Sequence, residues 1–427
     1  MTSPGYKMTE IGEIPEEWRI QRLREFANVT SGNTAPQDRK YFKNGLYPFI
    51  RVQHLNNLES GKYLKHFDLI NHEAISELKL KAFKKDSIIF PKSGESIKLE
   101  RRALLSIDSF VANHLAVIET NGKNIITLFL FYYLSSLRTS DFLSKTTMPS
   151  LNLSIIKQFP IPFPSLPEQQ KIAEILSTAD ESIQKVNEEI TMTEKLKKGL
   201  MQTLLTKGIG HTKFKITEIG EIPTEWAIKS ISECSVPVSS IDPSIFSHSY
   251  FKYIDVSGIS SEKLAIVYTK EIQGIAAPSR ARKEVKEEDV IFATVRPYLK
   301  RVAIVPKNLD GQVCSTAFCV VRAKRNEIMP CFLYYYMTFD KFVNKISEFQ
   351  TGSAYPAVSD SQVMSQRVPI PKVYEQQKIA DILSTVDNKL ELFRKKKTHL
   401  EKLKKGLMGD LLTGKIRVKL NTSKGEN

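Results

Sequence analysis

The stretch EQQKIAEILSTAD at 168–180 returns as EQQKIADILSTVD at 375–387, with eleven of thirteen positions identical. Two further blocks recur in the same order. TEIGEIPEEW at 9–18 matches TEIGEIPTEW at 217–226 at an offset of 208, and EKLKKGLM is identical at 194–201 and 401–408 at an offset of 207. A Pro-rich strand candidate precedes each copy of the first block, IPFP at 161–164 and VPIP at 368–371. The chain of 427 residues is therefore a tandem duplication with a unit of about 207 residues. Units of roughly 20 to 50 residues build solenoids, so a unit this long is a duplicated domain. Two domains also suit the length.

The recurring part reads as helix. Apolar residues fall at Ile172, Leu176, Ala179, Ile183, Val186, Ile190, Leu196, Leu200 and Leu204, and again at Ile379, Leu383, Val386, Leu390, Phe393, Leu400, Leu403, Leu407 and Leu411. Steps of three and four sustained this long predict a narrow stripe of coiled-coil type. Pro167 fits the first turn of the first helix, where the second copy has Tyr374, and Gly208 or Gly414 suits the end. Lys397 stands where the first copy has Ile190, and Thr193 where the second has Leu400. Such a polar residue either fixes register or snorkels to solvent. Gly199 and Gly406 sit inside the helical pattern at a cost of up to about 1 kcal/mol each, with no reason visible in the sequence.

A helix over 168–206 makes a rod of roughly 58 Å at about 1.5 Å per residue, and one rod alone cannot bury its stripe. The matching stripe is the other copy. Because the first helix carries the chain from one globular part to the other, the second packs beside it only by running back. The expected fold is α+β: two mixed α/β domains separated by two long antiparallel coiled-coil helices, a dumbbell with a pseudo-twofold axis. TEIGEIP follows the first helix in mid-chain, whereas at the N-terminus the end of the second helix would lie beside it, as though a circle had been cut. Expected boundaries are 1–160 for the first domain with its lead, 165–208 for the first helix, 217–367 for the second domain, 374–416 for the second helix and 417–427 for a tail.

The globular parts, from Trp18 to about Phe159 and from Trp226 to about Arg367, barely resemble each other. Strand candidates are YPFIRV at 47–52, DSIIF at 86–90, FKYIDV at 251–256 and DVIFATV at 289–295. ITLFLFYYLSS and MPCFLYYYMTF read as helices whose aromatic stripes belong to the core rather than to a base-stacking platform. A polar, basic loop follows the second strand of each pair, PKSGESIKLERR at 91–102 and RPYLKR at 296–301, and SRARK at 279–283 lies upstream of the latter. The loops before the Pro-rich strands, KTTMPSLN at 145–152 and QTGSAYPAVS at 350–359, align without gaps through Pro149 and Pro356.

Lys and Arg number 62 against 47 Asp and Glu, a formal charge of +15, so the field around the chain attracts a polyanion. Nucleic acid is the first candidate, and the physical argument for it is that both divergent parts keep similar basic loops. Candidate DNA contacts are Lys92, Ser93, Lys98, Arg101, Arg102, Thr146 and Thr147 in the first domain. In the second they are Arg280, Arg282, Arg296, Tyr298, Lys300, Arg301, Thr351, Ser353 and Tyr355. Arg and Lys there would meet phosphates, and a bidentate Arg reads guanine in the major groove. For any one of them, solvated surface is the competing reading.

Enzymatic readings find little. No glycine-rich cofactor loop and no NPPY-like or DPPY-like motif occurs, and seven His residues form no HExxH pattern. GDLLTGKI at 409–416 has the spacing of a phosphate-binding loop, but Ile416 replaces the required Ser or Thr and no strand precedes it, so it reads as a helix terminus. Cys234, Cys314, Cys319 and Cys331 lack paired CxxC spacing and read as buried thiols, with no metal site expected. The longest apolar run, ITLFLFYYL at 126–134, is too short to span a bilayer, and MTSPGYKMTEIGEIP lacks the apolar core of a signal peptide, so a cytoplasmic protein is expected.

Two variable domains alternating with two near-identical helices, each entered through a Pro-rich strand and an EQQKIA start, resemble the specificity subunit of Type I restriction-modification enzymes. The resemblance rests on IPFPSLPEQQKIAEILSTAD, VPIPKVYEQQKIADILSTVD, the EKLKKGLM pair and the TEIGEIP leads, and it covers essentially the whole chain. It implies a non-catalytic subunit in which each variable domain is a target recognition domain reading one half of an asymmetric bipartite DNA sequence. The helices 168–206 and 375–413 would set the unread spacer and dock two modification (methyltransferase) subunits. Those partners would bring S-adenosylmethionine and methylate adenine after flipping it from the stack. Restriction subunits would add ATP- and Mg-dependent cleavage. Two identical partners require two equivalent surfaces, and two different half-sites require two different readers. The alternatives are a specificity subunit serving one fused cleavage-and-methylation polypeptide, a basic coiled-coil scaffold without sequence preference, or an enzyme in its own right.

Overall fold

The computed structural model describes residues 4–58, 61–142, 150–246, 248–352 and 356–420. The chain divides into two compact units, one of residues 1–189 with 393–427 and the other of residues 190–392. The first unit is thus assembled from both ends of the sequence, and the second from its middle.

In the first unit the lead forms a hairpin, Tyr6–Thr9 against Gly12–Pro15. The next strand, Arg19–Arg22, pairs antiparallel with the Pro-rich strand Pro160–Phe163. A two-stranded ribbon leaves one side of each strand unpaired, which is where Pro is tolerated. The main sheet has the order Ala27–Ser31, Leu115–Thr120, Ile88–Pro91, Ala103–Leu104, all antiparallel. A smaller sheet of Asp68–Ile70, Tyr47–Ile50 and Phe110–Val111 contains one parallel pair.

The second unit repeats this plan. Its lead hairpin is Phe214–Thr217 against Gly220–Pro223, and its Pro-rich ribbon joins Ala227–Ser230 to Arg367–Ile370. The main sheet runs Ser235–Val236, Phe318–Ala323, Val290–Ala293, Val302–Ile304, the same order as before. The second sheet has four strands here, Lys270–Gln273, Tyr250–Ile254, Gln312–Ser315 and Ala281–Val285. All four strand expectations fall on observed strands, with ends that differ by no more than two residues.

Thr127–Ser136 and Pro330–Thr338 are the expected aromatic helices. They are buried around most of their circumference, with Phe129, Leu130, Tyr132, Phe332 and Met337 wholly enclosed, so these aromatic side chains are core. Cys234, Cys314 and Cys319 are buried as expected, whereas Cys331 is only half-buried. Burial pushes the thiols of Cys314 and Cys319 up to about 12.

The long helices span Leu166–Lys207 and Val373–Leu411. In the first unit the start of the central helix packs against the end of the distal one, bringing Ile172 and Leu176 into one core with Leu411 and Leu412. In the second unit Met201, Leu204 and Leu205 share a core with Ile379 and Leu383. Start meets end in both, so the pairing is antiparallel.

The seam departs from the expected stripe. Ile172, Leu176, Ile183, Val186, Leu204, Ile379, Leu383, Val386, Leu390 and Leu411 are buried, while Ile190, Leu200, Phe393, Leu400 and Leu407 are half-buried. Leu196 and Leu403, read as core, are 55% and 49% exposed. The seam passes instead through polar residues one position away. Asp180, beside Ala179, is buried and meets Lys404 at 2.5 Å, and Lys197, beside Leu196, meets Asp387 at 2.5 Å. Tyr132 donates to Asp180 at 2.7 Å and Tyr335 to Asp387 at 3.0 Å, giving each unit the same Tyr–Asp–Lys triad.

Candidate nucleic-acid interface

What positions each domain is the duplicated EQQ. Glu168 and Glu375, both buried, accept the indole N–H of Trp18 at 3.0 Å and Trp226 at 3.1 Å, the tryptophans that close the TEIGEIP blocks. Each carboxylate has a further partner from the chain leaving a long helix. Arg417 binds Glu168 at 2.7 Å, while His211 and the Ile209 N–H bind Glu375 at 2.9 and 3.0 Å. The second residue, fully buried, brackets two elements. Gln169 accepts the Ile126 N–H at 2.8 Å and donates to the Pro164 carbonyl at 3.0 Å. Gln376 accepts the Met329 N–H at 2.7 Å and donates to Pro371 at 2.9 Å. In each unit this amide ties the start of the aromatic helix to the end of the Pro-rich strand. The third residue stays on the surface, Gln170 reaching Glu174 and Gln377 reaching Asp381.

Glycine is required where the helices end. Gly208 has φ +64°, and a Cβ there would lie 2.4 Å from the Glu375 carboxylate and 2.5 Å from the Trp226 ring. At Gly414, φ +73°, a Cβ would lie 2.4 Å from the Pro15 ring and 3.2 Å from the Trp18 ring. The Tyr6 hydroxyl donates to the Gly414 carbonyl at 2.9 Å, so the end of the distal helix does lie beside the lead.

On this frame the two candidate loops of each domain are joined by backbone pairing. Ser93 bridges Ser150 and Val295 bridges Ala357 at matching places beyond the strand of the main sheet. Leu151 N–H donates to the Lys92 carbonyl at 2.8 Å, and Arg296 N–H to the Pro356 carbonyl at 2.8 Å. Loops some 60 residues apart in sequence therefore form one surface in each domain.

The named side chains differ in exposure and in partners, the exposed Lys98 pairing with Glu95 at 2.6 Å. Lys98, Arg280, Arg296, Tyr298 and Thr351 are exposed. Arg296 is held in the left-handed region at φ 51°, a conformation that a non-glycine residue keeps only when its surroundings impose it. Lys92 and Ser93 are half-buried, the Ser93 hydroxyl lying 2.7 Å from His114 Nδ1. Arg101, Arg301, Arg282 and Lys300 bind groups of their own domain. Arg101 and Arg301 occupy equivalent places and each reaches a carbonyl of a neighbouring 3-10 turn, Leu55 and Val256, at 3.4 Å. Arg282 binds the Ala281 carbonyl at 2.8 Å and lies 3.5 Å from Asp242. Lys300 pairs with Asp340.

Arg102 does not belong to the surface. It is buried, donates to the Leu137 carbonyl at 2.7 Å and pairs with Glu100 at 2.8 Å. Burial holds its guanidinium pKa below the usual range, opposed by the Glu100 carboxylate. Thr146, Thr147, Ser353 and Tyr355 lie outside the described residues. Sequence reading missed Glu100 and Asp340, which anchor these loops, and the Tyr–Asp–Lys triads, although Asp180, Asp387, Lys197 and Lys404 all stand inside recurring blocks. Among the described residues no helix is long and apolar enough to cross a membrane.

The family model for the Type I restriction modification DNA specificity domain matches the chain twice, over residues 15–192 and 212–402. A Methanocaldococcus jannaschii protein named for the specificity subunit of a type I restriction enzyme, MjaX, is 30% identical over 97% of each chain. The MjaVIII specificity subunit of the same organism is 28% identical over 95% of this chain and 94% of its own length. Among solved structures, the S subunit of a Type-I restriction-modification system from M. genitalium matches with a TM-score of 0.57 at 17% identity, covering 96% of this chain and 99% of that one, a likeness of fold.

Proposed function

The chain belongs to the Type I restriction-modification DNA specificity family, and on that premise we propose that it is the DNA sequence-recognition subunit of such an enzyme. The two domains, taken as 1–160 and 217–367, each read one half of an asymmetric bipartite target. The observation that carries this is the contrast within each unit. The Trp–Glu clasp, the Gln bracket and the Tyr–Asp–Lys triad are repeated, while the paired loops they present differ in sequence.

A frame held by buried and half-buried hydrogen bonds fixes where the described ends of the loops start, and a fixed starting position is what base-edge readout needs. Exposed Arg296 and Tyr298 in one domain and Lys98 in the other head the contact candidates. Arg101, Arg301, Lys300 and Glu100 shape the loops from beneath. The long helices set the spacer and dock two modification subunits, which supply S-adenosylmethionine and methylate adenine. Restriction subunits add ATP-dependent cleavage. This chain contributes recognition and assembly, not chemistry, within the cytoplasm.

The test is single-molecule sequencing of adenine methylation in DNA from cells expressing the chain with its modification subunit, beside cells expressing that subunit alone. A bipartite methylated motif present only with this chain is the expected result. Absence of methylation, with an active partner demonstrated, would defeat the proposal.

A further inference from the structure

The main sheets of the two units match by register where they do not match by sequence. Pro91 pairs with Leu115 and Ala293 with Phe318, so Gly94 and Arg296 hold one position, and His114 and Ala317 hold another. The match continues past the strands into the loops. Lys92 N–H donates to the His114 carbonyl at 2.9 Å, as Thr294 N–H does to that of Ala317 at 2.8 Å. The neighbouring loop closes on the same residue in each domain. Leu151 N–H meets the Lys92 carbonyl at 2.8 Å, and Val358 N–H meets the Thr294 carbonyl at 2.9 Å. On this shared backbone the side chains are exchanged. The first domain has glycine at 94 and an exposed histidine at 114, and the second has an exposed arginine at 296 and alanine at 317.

Each long side chain is kept under constraint. Gly94 has φ 79° and Arg296 φ 51°, so the turn demands a left-handed residue, and the second domain meets that demand with an arginine where glycine would carry no strain. Asp86 with Glu288, and Glu100 with Lys300, are left-handed in both domains and so belong to the shared frame. Arg296 differs from them, because its counterpart is glycine. His114 is constrained through its ring, Nδ1 lying 2.7 Å from the hydroxyl of Ser93, whose counterpart is Val295. We infer that each domain reads one base pair of its half-site at this seam, with His114 in the first and Arg296 in the second, one long side chain supplied from opposite loops. Arg296 spans O6 and N7 of a guanine in the major groove. His114, with Nδ1 engaged, meets a base edge through Nε2 alone. The second domain is therefore the stricter reader at this position. Half-buried Lys92, bonded to His114, and exposed Arg280, whose carbonyl accepts the Thr316 N–H at 2.8 Å, place positive charge beside the seam for the flanking phosphates. The inference rests on the recognition function proposed above and names the residues that set its specificity.

The experiment sequences methylated adenines in DNA from cells expressing the full chain, or a variant, with its modification subunit. Arg296→Gly gives the second domain the residue the first has at this turn, so the purified variant should melt no lower than the parent. Its motif is expected to lose one guanine of one half, with discrimination there reduced about tenfold or more, while the other half and the spacer stay as they were. His114→Ala should loosen one position in the opposite half. A motif unchanged by Arg296→Gly would overturn the inference and leave the recognition function standing. So would an even loss of methylation at every site with all base preferences kept, which would make Arg296 a phosphate contact, or a lowered melting temperature, which would make it part of the frame. A parent chain that yields no motif with an active partner would overturn the recognition function itself, and the inference with it.

Discussion

Glu168 and Glu375 are buried carboxylates, and each is stable there only because an indole N–H and a group leaving a long helix meet it. The space around them is full, which is why Gly208 is glycine. Gly208→Ala adds a Cβ against Glu375 and Trp226 at a positive φ, and should lower unfolding free energy by more than about 1 kcal/mol. Gly199→Ala, where the Cβ meets nothing, should raise it by about 0.5–1 kcal/mol. Urea melts of the two variants beside the parent check both signs. Equal effects would mean that the close approach at Gly208 is unimportant. At this scale the sequence marked which residues matter but not why. The repetition of EQQ was plain, whereas its partners, Trp18 some 150 positions away and Ile126 some 43 away, are set by tertiary folding. Arg102 was misread for the same reason, since a basic residue in a loop reads as surface until its burial is seen.

Among the elements, the helix pair was the most legible, because a period sustained over many turns outlasts local exceptions. Its flank was not. Leu196 and Lys197 are neighbours, and choosing which faces the seam depends on a carboxylate, Asp387, that helical period alone does not single out. Ion pairs cross the seam at matching places in the two units, with Asp180 the buried member. Removing Asp180 leaves the partly exposed Lys404 and the Tyr132 hydroxyl without their shared partner, so Asp180→Leu should cost about 1–3 kcal/mol. The double variant Asp180→Leu with Lys404→Leu should recover most of that loss. Denaturant midpoints for the two singles and the double measure the coupling, and additive losses would show that the pair is merely a surface contact. The paired loops were legible as matched segments, but the backbone bridges joining them were not, because their partners lie more than fifty residues apart.

For the whole molecule, the duplication read from the sequence is the organisation found, with one refinement: each unit completes its helical support with a segment from the other half of the chain. Recognition should then be modular. Exchanging residues 227–350 for the matching segment of another family member is expected to alter one half of the methylated motif and leave the other half and the spacer as they were. Sequencing of methylated adenines reads this directly, and a change in both halves would defeat the two-reader arrangement.

The first unit opens the chain but needs residues 393–420 to be whole, whereas residues 190–392 are continuous. On a ribosome adding roughly 5–20 residues per second, the gap between residue 189 and residue 393 lasts on the order of 10–40 seconds. Throughout that time Ile172 and Leu176 lack Leu411, and Glu168 lacks Arg417. The half that is translated first is therefore the half that matures last. Its nascent apolar stripe is the stretch most in need of a chaperone until the closing segment emerges from the exit tunnel.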